Sequence, residues 1–348
     1  MIKREHRRQA VSVRRKLFPF QRPSSELVDS EFVSIAVTSL TKAIAMNMSA
    51  PLNSSPATVA PEAGLKVSLI PRKNQFTVKH VDRHWIPGNP FLTRYLDALS
   101  LMFPTGERLF IRAVRRYLPD IETKQLEEDA QSFIFQEAQH TQAHEMFNQQ
   151  IEVQGLHSAG MEWFVKGVVH AQEKILSKKL YMALAAGGEH FTASMAEVVL
   201  ENFEDYLDGA PDEMRALWCW HCVEEIEHKT VTFDVFQQAA KGGYFTRQLG
   251  FIISFGNLIF FPQLTMLHLL AKERQLSSFS AWKTGMSSLY GRQGIIRRIA
   301  KKLLVYLKPG FHPTQVNVPA QYYQWQEAFE KSNNIYASTR SVFPVKNR

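Results

Sequence analysis

From Thr93 onward apolar residues recur at helical spacing, and no convincing strand-like alternation appears between residues 93 and 240. Thr93 to Leu118 reads as helical apart from Pro104-Thr105-Gly106, where Thr105 is placed to cap a helix entering at Glu107 and ending before Pro119. Lys124 to Gln154 carries no Gly or Pro and stops at Gly155. Glu162 to Ala186, Glu189 to Leu207 and Asp212 to Ala240 follow, with Gly187-Gly188 and Gly209-Ala210-Pro211 as the expected breaks. Long helices joined by short connections predict an antiparallel helical bundle over residues 93–242 and an all-α class.

The flanks differ. Residues 1–64 form an Arg-rich start followed by a Pro/Ser/Ala-rich stretch without apolar periodicity, which predicts a disordered, dispensable tail and linker. Met46 and Met48 offer later start positions, and no apolar segment with a cleavage site points to secretion. Residues 65–92 read as an extended arm and loop. Residues 243–348 open with an uncharged run between Arg247 and Lys272, interrupted by Gly256, Asn257 and Pro262, and continue into a basic stretch from Arg292 to Lys308. That pattern predicts two short apolar helices, either at an anionic membrane surface or buried against the bundle.

Composition narrows the picture without changing it. The chain has 348 residues, 45% of them hydrophobic, and a net charge of +8 from 41 Lys/Arg and 33 Asp/Glu. Nine of those basic residues fall in residues 1–48 against four acids, so the excess is concentrated in the tail and argues against nucleic acid as a partner. The two cysteines, Cys219 and Cys222, exclude a disulfide framework and read as packing residues of a cytoplasmic protein, at most peripheral to the inner face of the cytoplasmic membrane.

The histidines carry the chemistry. Glu137-Ala-Gln-His140 and Glu225-Ile-Glu-His228 are two copies of Glu-x-x-His, each in a long helix. An advance of three residues brings both side chains of a pair onto one helix face, so each pair can chelate an ion. Glu107 and Glu189, on two other helices, complete the order Glu, Glu-x-x-His, Glu, Glu-x-x-His. That is the ligand order of ferritin-like di-iron or di-manganese carboxylate four-helix bundles. A single Glu-x-x-His would more often be a solvated helix face, but two copies among aromatic neighbours require a metal or charged partners. His144 and His221 lie four residues from His140 and Glu225 and extend the same faces, as extra ligands or as groups that orient ligands. His190 points away from its neighbour Glu189, and Glu224 adjoins Glu225; both are expected near the ligands.

These segments resemble a known bacterial family. FPTGERLFIRAVRRYLPDI around Glu107, FIFQEAQHTQAHEMFN around Glu137, EHFTASMAE at Glu189, WHCVEEIEHKTVTFDVF at His228 and the later YLKPGFHP are similar to the predicted metal-dependent hydrolases, over roughly residues 66–325. The resemblance implies a metal-dependent activity, hydrolysis by its label. The donor set of carboxylates and imidazoles points instead to two Fe ions, with Mn or Zn as substitutes. On that ground the expected function is a di-iron oxygenase or oxidase, using O2 and an external electron donor on a lipophilic substrate. A two-metal hydrolase that activates water is the alternative, and a non-enzymatic iron binder the third reading.

Overall fold

The computed structural model describes residues 67–345 apart from Lys79 and His157, and the regular elements among them are all helical. The tail expected to be disordered, residues 1–64, lies outside the described residues. Residues 67–89 form an irregular arm whose side chains reach several helices.

Helix α1 (Pro90–Arg115) begins at a cap, where the Asn89 side chain accepts a hydrogen bond from Leu92 N and Pro90 occupies a position that needs no N–H. It runs unbroken through Pro104-Thr105-Gly106, so the expected break is absent. Proline cannot donate to the carbonyl four residues back, which here belongs to Ser100. Asn148 Nδ2 on the next helix donates to that carbonyl at 3.0 Å and satisfies it. Helix α2 (Lys124–Val153) is capped by Thr123 and ends near the expected position.

The next boundary also moves. Helix α3 (Ala159–Ile175) stops before Ser177, whose hydroxyl caps α4 (Lys178–Glu201), and α4 continues through Gly187-Gly188. Those glycines pack a neighbour instead of ending a helix. A Cβ at Gly187 would sit 2.7 Å from the Cα of Phe251, and one at Gly250 would sit 2.4 Å from the carbonyl carbon of Ala183. The partner in this close crossing is α7 (Tyr244–Lys272), reached after the short α5 (Phe203–Leu207), α6 (Asp212–Asp234) and a wide turn at Val235–Ala239.

Helix α7 is one continuous helix of 29 residues, not the two short ones expected, with Pro262 inside it. It is long and apolar enough to cross a membrane, and 39% of its most apolar window is buried in the protein. Helices α8 (Phe279–Tyr290), α9 (Ile295–Leu303), α10 (Ala320–Ser332) and α11 (Ile335–Val342) complete the chain. Two bases of the C-terminal basic stretch are engaged in ion pairs, Arg298 with Asp205 at 2.8 Å and Lys302 with Glu197 at 3.0 Å and Glu201 at 2.8 Å.

Helices α1, α2, α6 and α4 pack in a closed ring, each on the next, which makes the four-helix bundle. Its core joins apolar residues from Val67 in the arm to Phe343 near the C-terminus, so arm and C-terminal helices share the bundle's interior.

Candidate metal centre

Each helix of the ring sends carboxylates inward: Glu107 from α1, Glu137 from α2, Glu189 from α4 and Glu225 from α6. All four are buried, as are His140 and His228. Ligand atoms of Glu137, His140, Glu225 and His228 lie within 4.8 Å of one another. The two motifs interleave. His228 Nδ1 lies 2.7 Å from Glu137 Oε1 across the bundle, and His140 Nδ1 lies 3.5 Å from Glu225 Oε1. Glu189 Oε2 approaches His228 Nδ1 to 3.7 Å. Glu107 groups with His144 and His221, again with ligand atoms within 4.8 Å.

Six residues of this cluster carry buried polar atoms with no hydrogen-bond partner among the described residues: Oε1 of Glu107, both oxygens of Glu137 and of Glu189, Oε2 of Glu225, and Nδ1 of His140 and His228. An orphaned buried polar atom costs about 1–3 kcal/mol, more for a charged group. So many converging on one small volume would be untenable unless protons or cations occupied it. The electrostatics agree. Burial, then the neighbouring carboxylates, pushes the carboxyls of Glu107, Glu137 and Glu189 well above the usual range. Burial acts the same way on Glu225, but the imidazoles of His140, His221 and His228 around it hold it well below. Burial pushes His228 down to about 4, so its imidazole is neutral and its Nδ1 is available as a ligand. His140 goes the other way: burial lowers it, but Glu224, Glu225 and Glu137 together raise it well above its ordinary value, so it too would give up a proton to an ion. Four carboxylates and two imidazoles with unpartnered atoms suit a pair of divalent ions, which would replace the protons.

The histidines are held from outside. His140 Nε2 donates to Glu224 Oε2 at 3.0 Å, and His228 Nε2 donates to Gln136 Oε1 at 3.2 Å, which turns each Nδ1 inward. Gln136 Nε2 in turn donates to Glu227 Oε2 at 2.8 Å. Arg72, from the arm, binds both outer carboxylates: it reaches Glu224 Oε1 at 3.1 Å and Glu227 Oε1 at 2.9 Å. Glu227 also accepts from Tyr322 and Gln326 on α10, both at 3.1 Å. One buried guanidinium therefore braces both candidate ligand histidines.

Of the additional candidates, Glu224 orients His140 and is not turned into the centre. His144 uses both ring nitrogens, Nδ1 with Ser100 Oγ at 2.8 Å and Nε2 with His221 Nδ1 at 2.7 Å. The direction of this string follows from its far end. Asn148 Nδ2 donates to the Ser100 carbonyl, so its Oδ1 faces Ser100 Oγ and accepts from it at 2.7 Å. Ser100 Oγ then accepts from His144 Nδ1–H, His144 Nε2 accepts from His221 Nδ1–H, and a neutral His221 is left with a bare Nε2. That Nε2 lies 3.1 Å from Glu225 Oε1. His190 takes no part in either group. It sits in an aromatic box, its ring stacked on Tyr306 with centroids 4.6 Å apart, and burial pushes its pKa down to about 3. Cys219 and Cys222 are free thiols buried in the core, as their reading as packing residues requires.

Glu107, His221 and Glu225 also form part of the wall of a cavity of about 60 Å³ between α1, α3, α4 and α7. The rest of its lining is nearly all apolar, including Met102, Leu109, Leu184, Leu258 and Phe261.

Sequence reasoning missed Arg72, Gln136, Glu227, Ser100 and Asn148. Gln136, Glu224 and Glu227 each precede a ligand by one residue, a 100° step that turns them outward, and this regularity was the available signal. Nothing local marks Arg72, which lies 152 residues from Glu224.

Residues 70–317 match the model of a family described as predicted metal-dependent hydrolase. No curated protein and no solved structure matches the chain. The match overturns the expected oxygenase or oxidase: hydrolysis consumes water, whereas the redox reading required O2 and an electron donor. The error came from taking a donor set suited to iron as a sign of redox chemistry, when the same set can hold ions that act only as Lewis acids. The matched span takes in Arg72, all four ligand helices and both Glu-x-x-His motifs, and the chain belongs to the family of predicted metal-dependent hydrolases.

Proposed function

We propose that the protein is a two-metal hydrolase in which Glu107, Glu137, His140, Glu189, Glu225 and His228 hold two divalent ions, with His221 Nε2 as a seventh donor. The observation that carries this reading is the convergence of unpartnered, buried carboxylate and imidazole atoms at the bundle centre. Bound there, two ions would supply Lewis acidity, which eases deprotonation of water and stabilises charge developing on the scissile group. Fe and Mn suit four carboxylates and imidazoles, Zn remains compatible, and hydrolysis requires none of them to change oxidation state.

The chain's own groups orient and enclose. Thr141 Oγ1 donates to Glu107 Oε2 at 2.7 Å, which leaves Oε1 of that carboxylate free at the cavity wall. The Asn148–Ser100–His144 string fixes the ring of His221, and Arg72 fixes those of His140 and His228. The apolar wall keeps bulk water from the charged centre, where polar interactions are correspondingly stronger.

The test is metal content together with an isotope experiment. Purified protein should carry two divalent ions per chain, lose hydrolytic activity on chelation and regain it on metal addition. Hydrolysis in H2(18)O should place one labelled oxygen in one of the two products of each cleavage and none in the other. Fewer than two equivalents of metal after saturation, or no label in product, would overturn the proposal.

A further inference from the structure

We infer, resting on the hydrolase reading above, that the substrate is an uncharged carboxylic ester with a short apolar acyl chain, seated in the cavity beside the centre and entering past Gly106. Among the described residues, the charged ones lining the cavity are Glu107 and Glu225, and no lysine or arginine lines it. Two divalent ions would balance the carboxylates at the metal end, but a phosphate or carboxylate seated in the rest of the cavity would meet apolar walls and no cation. The polar residues elsewhere in the lining include Thr192, Ser254 and Asn257. Two of the three are already paired: Thr192 Oγ1 with the Glu189 carbonyl at 3.3 Å, and the Asn257 amide with that of Gln172 at 3.1 Å in both directions. A sugar or peptide would bury hydroxyls or N–H groups with few partners to meet them, whereas an ester brings no donor that must be satisfied.

Size sets the chain. At about 10–15 Å³ of such volume per water-sized group, the cavity accepts on the order of four to six carbons. Gly106 marks the entrance. It is half-buried, lines the cavity next to Glu107, and a Cβ built on it would meet nothing within 4 Å. In the reaction the acyl C–O bond breaks and a water oxygen bonds to the acyl carbon. One proton goes to the leaving alcohol, and the acid product releases the other to solvent.

Straight-chain 2-ketones of four to nine carbons serve as uncleavable probes, titrated calorimetrically into the metal-free protein, while the matching p-nitrophenyl esters report hydrolysis by the metal-loaded protein. Ketone affinity should rise about fourfold per methylene, the increment for burying one such group, and level off at about six carbons. Gly106→Leu, with a better helix former in the same helix, should keep or raise the Tm yet weaken ketone binding at least tenfold. No ketone binding, affinity independent of length, or unchanged binding in Gly106→Leu would overturn the cavity assignment even if some charged or hydrophilic ester is cleaved. Length-dependent ketone binding with no ester cleaved at any metal loading would instead remove the hydrolase reading, and the ester with it.

Discussion

Replacing Arg72 tests whether the brace outside the bundle sets the affinity inside it. Arg72→Met keeps most of the side chain's volume and removes the guanidinium shared by Glu224 and Glu227. The consequences are unequal. Glu227 keeps Gln136, Tyr322, Gln326 and the Ile70 amide as donors. Among the described residues, Glu224 keeps only the hydrogen bond from His140 Nε2. Stranding one member of a buried ion pair costs about 3–5 kcal/mol, a large share of the roughly 5–15 kcal/mol available to a folded domain. Disturbing the partner of a ligand histidine lowers metal affinity about 10–100-fold, which is about 1.4–2.7 kcal/mol. The ion held by His140 should therefore lose the full factor, and the ion held by His228 distinctly less. Competition against a chromophoric chelator at pH 7 resolves the two constants. Arg72→Met with Glu224→Gln, which removes the stranded charge but retains an oxygen acceptor for His140, should recover most of the stability. If both constants of Arg72→Met stay within twofold of the parent protein, the brace has no part in metal binding.

Other perturbations give equally distinct outcomes. Glu137→Gln should retain the fold and lose at least one ion per chain and the activity, whereas Cys219→Ser should keep both; full metal occupancy in Glu137→Gln would refute the ligand assignment. In the metal-free protein Glu107, Glu137 and Glu189 titrate well above the ordinary carboxyl value of 4.5, so the folded state holds protons that the unfolded chain releases, and stability is lost as pH rises toward the raised values. His221 and His228, pushed down to about 4, add the opposite slope between pH 4 and 6.5, so the test belongs above pH 6.5. There the Tm of metal-free protein should fall with pH while that of the loaded protein stays flat, and a metal-free Tm that rises would refute the proton-filled centre. Gly187→Val should destabilise by about 1–3 kcal/mol in a chemical denaturation experiment, because the new side chain meets the Phe251 backbone; no loss would show that α4 and α7 can move apart.

The candidate donors were legible because their spacing is local. Glu137 with His140, and Glu225 with His228, fall on one face by helix geometry alone, and the order of the four glutamates follows from the bundle's connectivity. Three readings failed where a residue's ordinary local meaning gave way to a long-range contact. Gly187 and Gly188 look like a break and serve as the floor on which α7 lies. Pro104 looks like a helix start, but an asparagine from another helix satisfies the carbonyl it leaves bare. Pro262 and its neighbours look like the middle of a hairpin, while packing against α4 and α1 carries α7 straight through. Arg72 was beyond reach because its meaning lies in two glutamates more than 150 residues away. The reaction type failed for a different reason: ligand identity constrains the ion, and the ion does not fix the reaction.

Pro104 has one more consequence. A string of hydroxyl, amide and imidazole groups can ordinarily orient its protons in either of two senses, and the two are close to degenerate. The string from Asn148 to His221 has lost that freedom, because the imino nitrogen of residue 104 leaves the Ser100 carbonyl to the asparagine amide and so decides which end of that amide faces the serine. Restoring a single amide proton by Pro104→Ala would return the choice to the string. His221 would then spend part of its time as the other tautomer, with a hydrogen on the nitrogen that faces Glu225. One bit of directional information, written by a residue that forms no hydrogen bond through its own nitrogen, is thereby delivered to the edge of the centre.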